Sequence, residues 1–228
     1  IGGLAQSALP IGPWAPSPTS RDDFPKPIHA ASYADFDRLA TGPWIDVLNS
    51  PQAVARAHVI RTSQGPRDSE AEPGALWVNG EVQVTERVAL LDHPVKDCLI
   101  RAKVRKVSGH SVGFVLHYDA QNMHHAHFSC TVPEAGWGGI GRTVSEAHQS
   151  LWKTPSGTAV PRPEEGYLEI AFSAIGDTLK SYVNGKAFGE ARDETHRAGL
   201  PCIYAFNREK QAKAFFKDIQ IQVLDQDR

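Results

Sequence analysis

Between Leu99 and Val132 the chain reads LIRAKVRKVSGHSVGFVLHYDAQNMHHAHFSCTV, interleaving imidazoles and cations with aliphatic residues. A neutral imidazole nitrogen can ligate a metal or take a proton, and a guanidinium fork matches a carboxylate or sulfate. Such chemistry needs the polar groups on one surface. Successive side chains of a strand point to opposite faces, so positions two apart share a face.

Counting by two, Val112, Phe114, Leu116 and Tyr118 share one face, and Gly113, Val115 and His117 the other. From His124 onward, Ala126, Phe128, Cys130 and Val132 alternate with His125, His127, Ser129 and Thr131. A turn near Asn122 places His117 opposite His127 and Asp119 opposite His125. The preceding strand offers Ile100, Ala102 and Val104 to the apolar face and Arg101, Lys103 and Arg105 to the polar one. A turn at Ser108 to His110 sets Arg101 beside His117. Three adjoining strands with one cationic, histidine-rich face are therefore expected.

Two chemistries fit that face. His117, Asp119, His125 and His127 are candidate ligands of a divalent metal, three nitrogens and one carboxylate. Alternatively, Arg101, Lys103, Arg105 and His125 bind an acidic sugar, with His117, His127 or Tyr118 as candidate general bases. Tyr118 is the odd member, because its parity assigns it to the apolar side. The plain alternative for the Arg-Lys-Arg stripe is a solvated outer face.

The surrounding text is all-β. Short alternating runs, punctuated by Gly, Pro, Asn and Asp, follow one another from about Ala55, as in a sandwich or barrel. Candidate strands are Ala57 to Thr62, Leu76 to Val78, Val82 to Leu90, Leu99 to Val107, Ser111 to Tyr118, His125 to Val132, Tyr167 to Ala174, Thr178 to Val183, Ile203 to Asn207 and Ala214 to Leu224. Asn184-Gly185 between TLKSYV and KAFGEA predicts a tight hairpin. In the last strand Phe215, Ile219, Ile221 and Val223 alternate with Phe216, Asp218, Gln220 and Gln222. The segment Pro133 to Pro163 reads as a long glycine-rich loop able to carry Trp137, Arg142 and Trp152 to a sugar, since aromatic faces stack on pyranose rings. Trp137 and Trp152 could equally plug the sandwich edge. Asp177, Asp193, Glu194 and His196 read as solvated loop residues, with a contribution to calcium or substrate binding as the alternative.

Residues 1–54 form an N-terminal arm, rich in proline at its start, with a short helix expected at Tyr33 to Leu39, and residues 55–228 form the sandwich. A net charge of -2 over 228 residues gives no global field for nucleic acid, and no apolar run reaches the roughly 18 residues of a membrane-spanning helix. The opening IGGLAQSALP has the small, apolar character found near an export-signal cleavage region, so a secreted or periplasmic protein is expected. Cys98, Cys130 and Cys202 allow one internal disulfide at most and show no metal-finger spacing.

The order LWVNGEVQV, GHSVGFVLHYD, GDTLKSYVNGKAFGEA, AGLPCIYAF and AFFKDIQIQV resembles the concanavalin A-like lectin and glucanase superfamily, in particular laminin G-like and 3-keto-disaccharide hydrolase domains. The resemblance spans roughly Leu76 to Leu224. It implies a jelly-roll sandwich of two antiparallel sheets and a carbohydrate partner met on the concave sheet, through binding or glycoside hydrolysis. A lyase acting on acidic polysaccharide and a noncatalytic adhesion or interaction module are the alternatives. Glu81 and Glu86, an odd number apart, fall on opposite faces, so the carboxylate pair of an ordinary glycosidase is not evident there.

Overall fold

The computed structural model describes residues 43–48, 75–80, 85–119, 121–129, 136–145, 147–155, 160, 166–206 and 212–224. These form an all-β sandwich of two antiparallel sheets, as expected. The seven-stranded sheet runs β1 (Ile45–Asp46), β13 (Ala212–Val223), β4 (Cys98–Ser108), β9 (Leu168–Ile175), β10 (Thr178–Val183) and β11 (Lys186–Arg192), with β2 (Leu76–Gly80) also paired to β13. The six-stranded sheet runs β3 (Thr85–Ala89), β12 (Leu200–Phe206), β5 (Ser111–Tyr118), β6 (Met123–Ser129), β7 (Trp137–Val144) and β8 (Ala147–Lys153). No helix among the described residues is long and apolar enough to cross a membrane. Most of the N-terminal arm, its expected helix and the expected strand Ala57 to Thr62 lie outside the described residues. Ile45–Asp46, from the segment read as the arm, pairs with Ile221 and Gln220, and Val47 is buried in the core.

Alternation along the strands builds the core between the sheets. Ile100, Ala102 and Val104 of β4 and Val112, Phe114 and Leu116 of β5 enter it from opposite sheets, joined by Ala126, Phe128, Ile140, Ile170, Phe172 and Ile203. Strands β4 and β5 are not neighbours in one sheet; the link through Gly109, at φ 109°, carries the chain from one sheet to the other. Their apolar faces oppose one another rather than lying side by side, and parity is the same in both arrangements.

The segment 133–163, expected to be a loop, carries two strands. Trp137–Val144 and Ala147–Lys153 are the outer strands β7 and β8. Three glycines in WGGIGRTV removed the usual strand signal. The Asn184-Gly185 turn is as expected, with φ of 46° and 74° and an Asn184 N–H bond of 2.8 Å to the Glu169 carbonyl.

Two residues inside strands have left-handed backbones without being glycine, His117 at φ 57° and Asp218 at φ 52°. Each coincides with a register shift, in the pairing of β5 with β12 and of β13 with β4. Such bulges insert a residue and turn the following side chains over. On β13 the inward set is Ala214, Phe216, Ile219 and Ile221, so Phe216 exchanges roles with Phe215 relative to simple alternation.

Candidate functional site on the six-stranded sheet

The face of the six-stranded sheet turned away from the inter-sheet core carries its own cluster of Val115, Met123, Cys202, Tyr204 and Phe206, with Ala89, Tyr118 and Leu200 against it. Across this face one register row reads Arg87, Tyr204, Gly113, His127, Gly139, Lys153. The adjacent row reads Ala89, Cys202, Val115, His125, Gly141, Ser150. Glycines therefore flank the His127 position on both sides, and another stands beside His125. The side chain of His127 lies outside the described set.

Gly141 owes its identity to space. A Cβ there would lie 2.6 Å from His125 Nε2 and 2.7 Å from His148 Cε1, because both imidazoles lean over it with their centroids 5.0 Å apart. At the head of the row, the Arg87 guanidinium sits 5.3 Å from the centre of the Tyr118 ring. Its Nε is buried without a hydrogen-bond partner, and burial lowers the pKa of its charged form. Beside it, burial holds the Tyr204 phenol protonated well above its ordinary range, despite its hydrogen bond with Ser111. Burial likewise pushes the Cys202 thiol up to about 12, which makes it an inert apolar filler. His110 lies 5.0 Å from Trp137 and 6.1 Å from Phe206, closing one end of the face. Burial also lowers the Lys153 ammonium. Among the described residues of this face there is no carboxylate.

The expected histidine surface is dispersed. Pairing within β5 and β6 sets His127 opposite Gly113 and His125 opposite Val115, four positions from the expected register. The φ of 57° turns His117 into the sandwich, where it is 2% exposed, while Tyr118 joins the outer cluster. Parity had assigned each of these two to the opposite side. Asp119 caps the β5 to β6 turn, accepting the N–H groups of Gln121 at 3.1 Å and Asn122 at 2.7 Å. Of the candidate metal set, His117 turns inward, Asp119 caps a turn and His125 lies on the outer face, so these three do not converge, and no group of three or more such residues able to hold a metal occurs among the described residues.

The cationic stripe lies elsewhere altogether. Arg101, Lys103 and Arg105 are on the outer side of the other sheet. Arg101 stacks 4.4 Å over Trp44 and donates to Gln220 at 2.7 Å, Lys103 pairs with Asp218 at 2.8 Å, and Arg105 lies over Phe215 at 4.7 Å. None of them stands beside His117. Trp152 is a core residue at 3% exposure, edge-on to Phe188 at 5.3 Å. Arg142 donates to the buried Asp193 at 2.5 Å, to Thr195 at 2.5 Å and to Gln149.

That ion pair belongs to a second polar assembly, at one end of the core. His117 Nδ1 is 2.9 Å from His124 Nδ1, His117 Nε2 is 2.6 Å from the Lys96 carbonyl, and His124 Nε2 is 3.2 Å from Asp193 Oδ1. His196 packs 4.9 Å from His124 and donates to the Thr143 carbonyl at 2.9 Å. Burial first, and then the neighbouring His117, depress His124 to about 4. Burial raises Asp193, but hydrogen bonds from Thr195 and His124 outweigh it and hold the carboxyl at about 2. Asp193 and His196, read as solvated loop residues, are buried because the segment after β11 folds back over the end of the six-stranded sheet. Arg87, Tyr204, His148, Lys153 and His124 were also missed. Only Arg87 carried a signal, as an odd-numbered cation in a run whose even neighbour Val88 points inward.

Comparison with known proteins gives the fold alone. No family model matches the chain, and no curated protein matches it. Among solved structures, the carbohydrate-binding module CBM66 from Bacillus subtilis aligns with a TM-score of 0.51 at 13% identity, covering 60% of this chain and 81% of that one. The alginate lyase Aly36B aligns at 0.46 and 8% identity over 68% and 82%. A xyloglucan-locus GH43B protein of Bacteroides ovatus aligns at 0.47 and 17% over 68% of this chain, which spans about a third of that protein (34%). The chain is thus similar in fold to CBM66.

Proposed function

We propose that this chain is a carbohydrate-binding domain of the concanavalin A-like type, related in design to laminin G-like modules, secreted, and directed at acidic glycans. The outer face of the six-stranded sheet is the contact surface. One observation carries the reading: the row from Arg87 and Tyr204 through the glycine-flanked His127 position to Lys153, with the buried Arg87 Nε left without an acceptor. A buried donor without a partner costs on the order of 1–3 kcal/mol, and the guanidinium fork of Arg87 matches a carboxylate or sulfate. Glycines let a pyranose approach the backbone, and the cations suit uronate or sulfate. The word "carbohydrate" in the name of CBM66 agrees with this reading.

Binding is favoured over hydrolysis, because the described residues of the face offer no pair of carboxylates for acid and base. Elimination is the second reading, favoured by a neutral phenol, Tyr204, next to the Arg87 cation. An array of uronate, sulfated and neutral oligosaccharides tests both. Binding to the acidic members with unchanged products supports the binding domain, and new ultraviolet absorbance from unsaturated uronate supports the lyase. Binding to none of them sinks the proposal.

A further inference from the structure

The Lys96 carbonyl, His117, His124 and Asp193 form a chain of three contacts, of 2.6, 2.9 and 3.2 Å. Both ends are acceptors. A carbonyl oxygen has no proton to give, and an Asp193 carboxyl paired at its other oxygen with Arg142 is ionised. Three hydrogen bonds between two terminal acceptors need three protons, whereas two neutral imidazoles bring two. We infer that the His117 and His124 pair holds one proton more than two neutral rings, with His117 the imidazolium and His124 a neutral relay. His117 then donates from Nε2 to the Lys96 carbonyl and from Nδ1 to His124 Nδ1. His124 donates from Nε2 to Asp193.

The distribution agrees with the surroundings. Burial disfavours a charge on either ring, at 2% exposure for His117 and 0% for His124, and it lowers His124 to about 4, so in this arrangement His117 carries the charge. Arg142 of β7 reaches Asp193, and His196 is engaged with the Thr143 carbonyl. Asp119, exposed beyond β5, is tied to Asn122, and the exposed Glu194 pairs with Arg197 at 2.9 Å. The chain spans the segment before β4, strands β5 and β6, and the segment after β11, so the proton fastens the two sheets together at this end.

A proton held this way leaves a signature in stability. Unfolded histidines titrate near 6.5. Above that pH the unfolded pair holds no proton and the folded pair one, so stability is lost as pH rises toward the folded value of His117. Below it the unfolded pair holds two and the folded pair one, so stability is also lost as pH falls, down to about 4, where His124 takes its proton. The contribution therefore peaks near 6.5. Two neutral rings would give the acid limb only, with a plateau above.

Nitrogen NMR of the full chain at neutral pH reads the assignment directly. Both ring nitrogens of His117 are expected to be protonated, with His124 protonated at Nε2 alone, and a His117 ring bearing one proton overturns the inference. Urea unfolding between about pH 5 and 8 gives the independent check. The wild-type alkaline limb should vanish in His117→Gln, which keeps an amide donor but cannot hold the charge. An alkaline limb unchanged in that variant, or absent from the wild type, overturns it as well.

Discussion

The backbone of Gly199 is pressed against that of His117, so that a Cβ built on Gly199 would collide with the His117 carbonyl carbon and lie 2.5 Å from the Tyr118 nitrogen. The Gly199 N–H and carbonyl bond Val95 at 3.1 and 2.9 Å, which fixes the strand that approaches. The left-handed turn at His117 is what brings the two backbones together, and it also divides His117 inward from Tyr118 outward.

Gly199→Ala is expected to destabilise the domain by about 3 kcal/mol, the upper end for overpacking against backbone that cannot move aside. Denaturant unfolding measures it. A loss within about 0.5 kcal/mol, as for an ordinary surface change, would show that the bulge yields easily.

Asp193→Asn removes the anion that pairs with Arg142 and accepts from His124. Arg142 is 27% exposed, so loss of its carboxylate partner costs what a hydrogen bond to a charged group is worth, about 1.5–3 kcal/mol near neutral pH. The folded pKa of about 2 lies below the ordinary 3.8, so the wild type loses Asp193's contribution as pH falls from 3.8 through 2. Stability curves of the two proteins should converge over that interval and stay apart above it.

Arg87→Lys keeps a charge but loses the planar fork, and on the proposed reading it weakens acidic-glycan binding at least tenfold, about 1.4 kcal/mol. Arg101→Gln, on the opposite sheet, is expected to leave that affinity unchanged. Calorimetry with an oligouronate decides between the two sheets, and the reverse pattern would return the site to the Arg101, Lys103 and Arg105 stripe.

Gly141→Ala inserts a methyl group between His125 and His148. Both contacts are with ring atoms that can swing, so the expected stability cost is about 1 kcal/mol. Glycan affinity should fall several-fold more than that cost explains. Equal affinity would remove this pair from the proposed surface.

Trp152→Ala should cost about 3–5 kcal/mol, the range for a large aromatic lost from a core. The indole also defines Gly189, where a Cβ would lie 2.5 Å from its Cε3. Unfolding by urea measures it. Unchanged stability with lost sugar binding would instead support the loop role read from the sequence.

Much of the fold was legible because alternation is local. The limits of β5 and β10 fall where the sequence placed them, Ser111–Tyr118 and Thr178–Val183, and the Asn184-Gly185 turn follows from residues that tolerate positive φ. Strands β7 and β8 were not legible. Gly141 of β7 answers to His125 and His148, which lie on the two neighbouring strands.

The sequence by itself determined which residues of a regular strand face the core: Ile100, Ala102 and Val104, and Val112, Phe114 and Leu116, all point inward as read. Only the tertiary structure decided that β4 and β5 belong to different sheets, which removed Arg101 from the histidines. It alone decided that His117 turns inward and Tyr118 outward. The physical reason is common to both. A period of two fixes direction relative to the core, but it is identical for a hairpin and for a link between sheets, and it is reset by one residue at positive φ. Which of these occurs depends on partners such as Lys96, Asp193 and Gly199, which meet His117 and its neighbours only after the chain has folded.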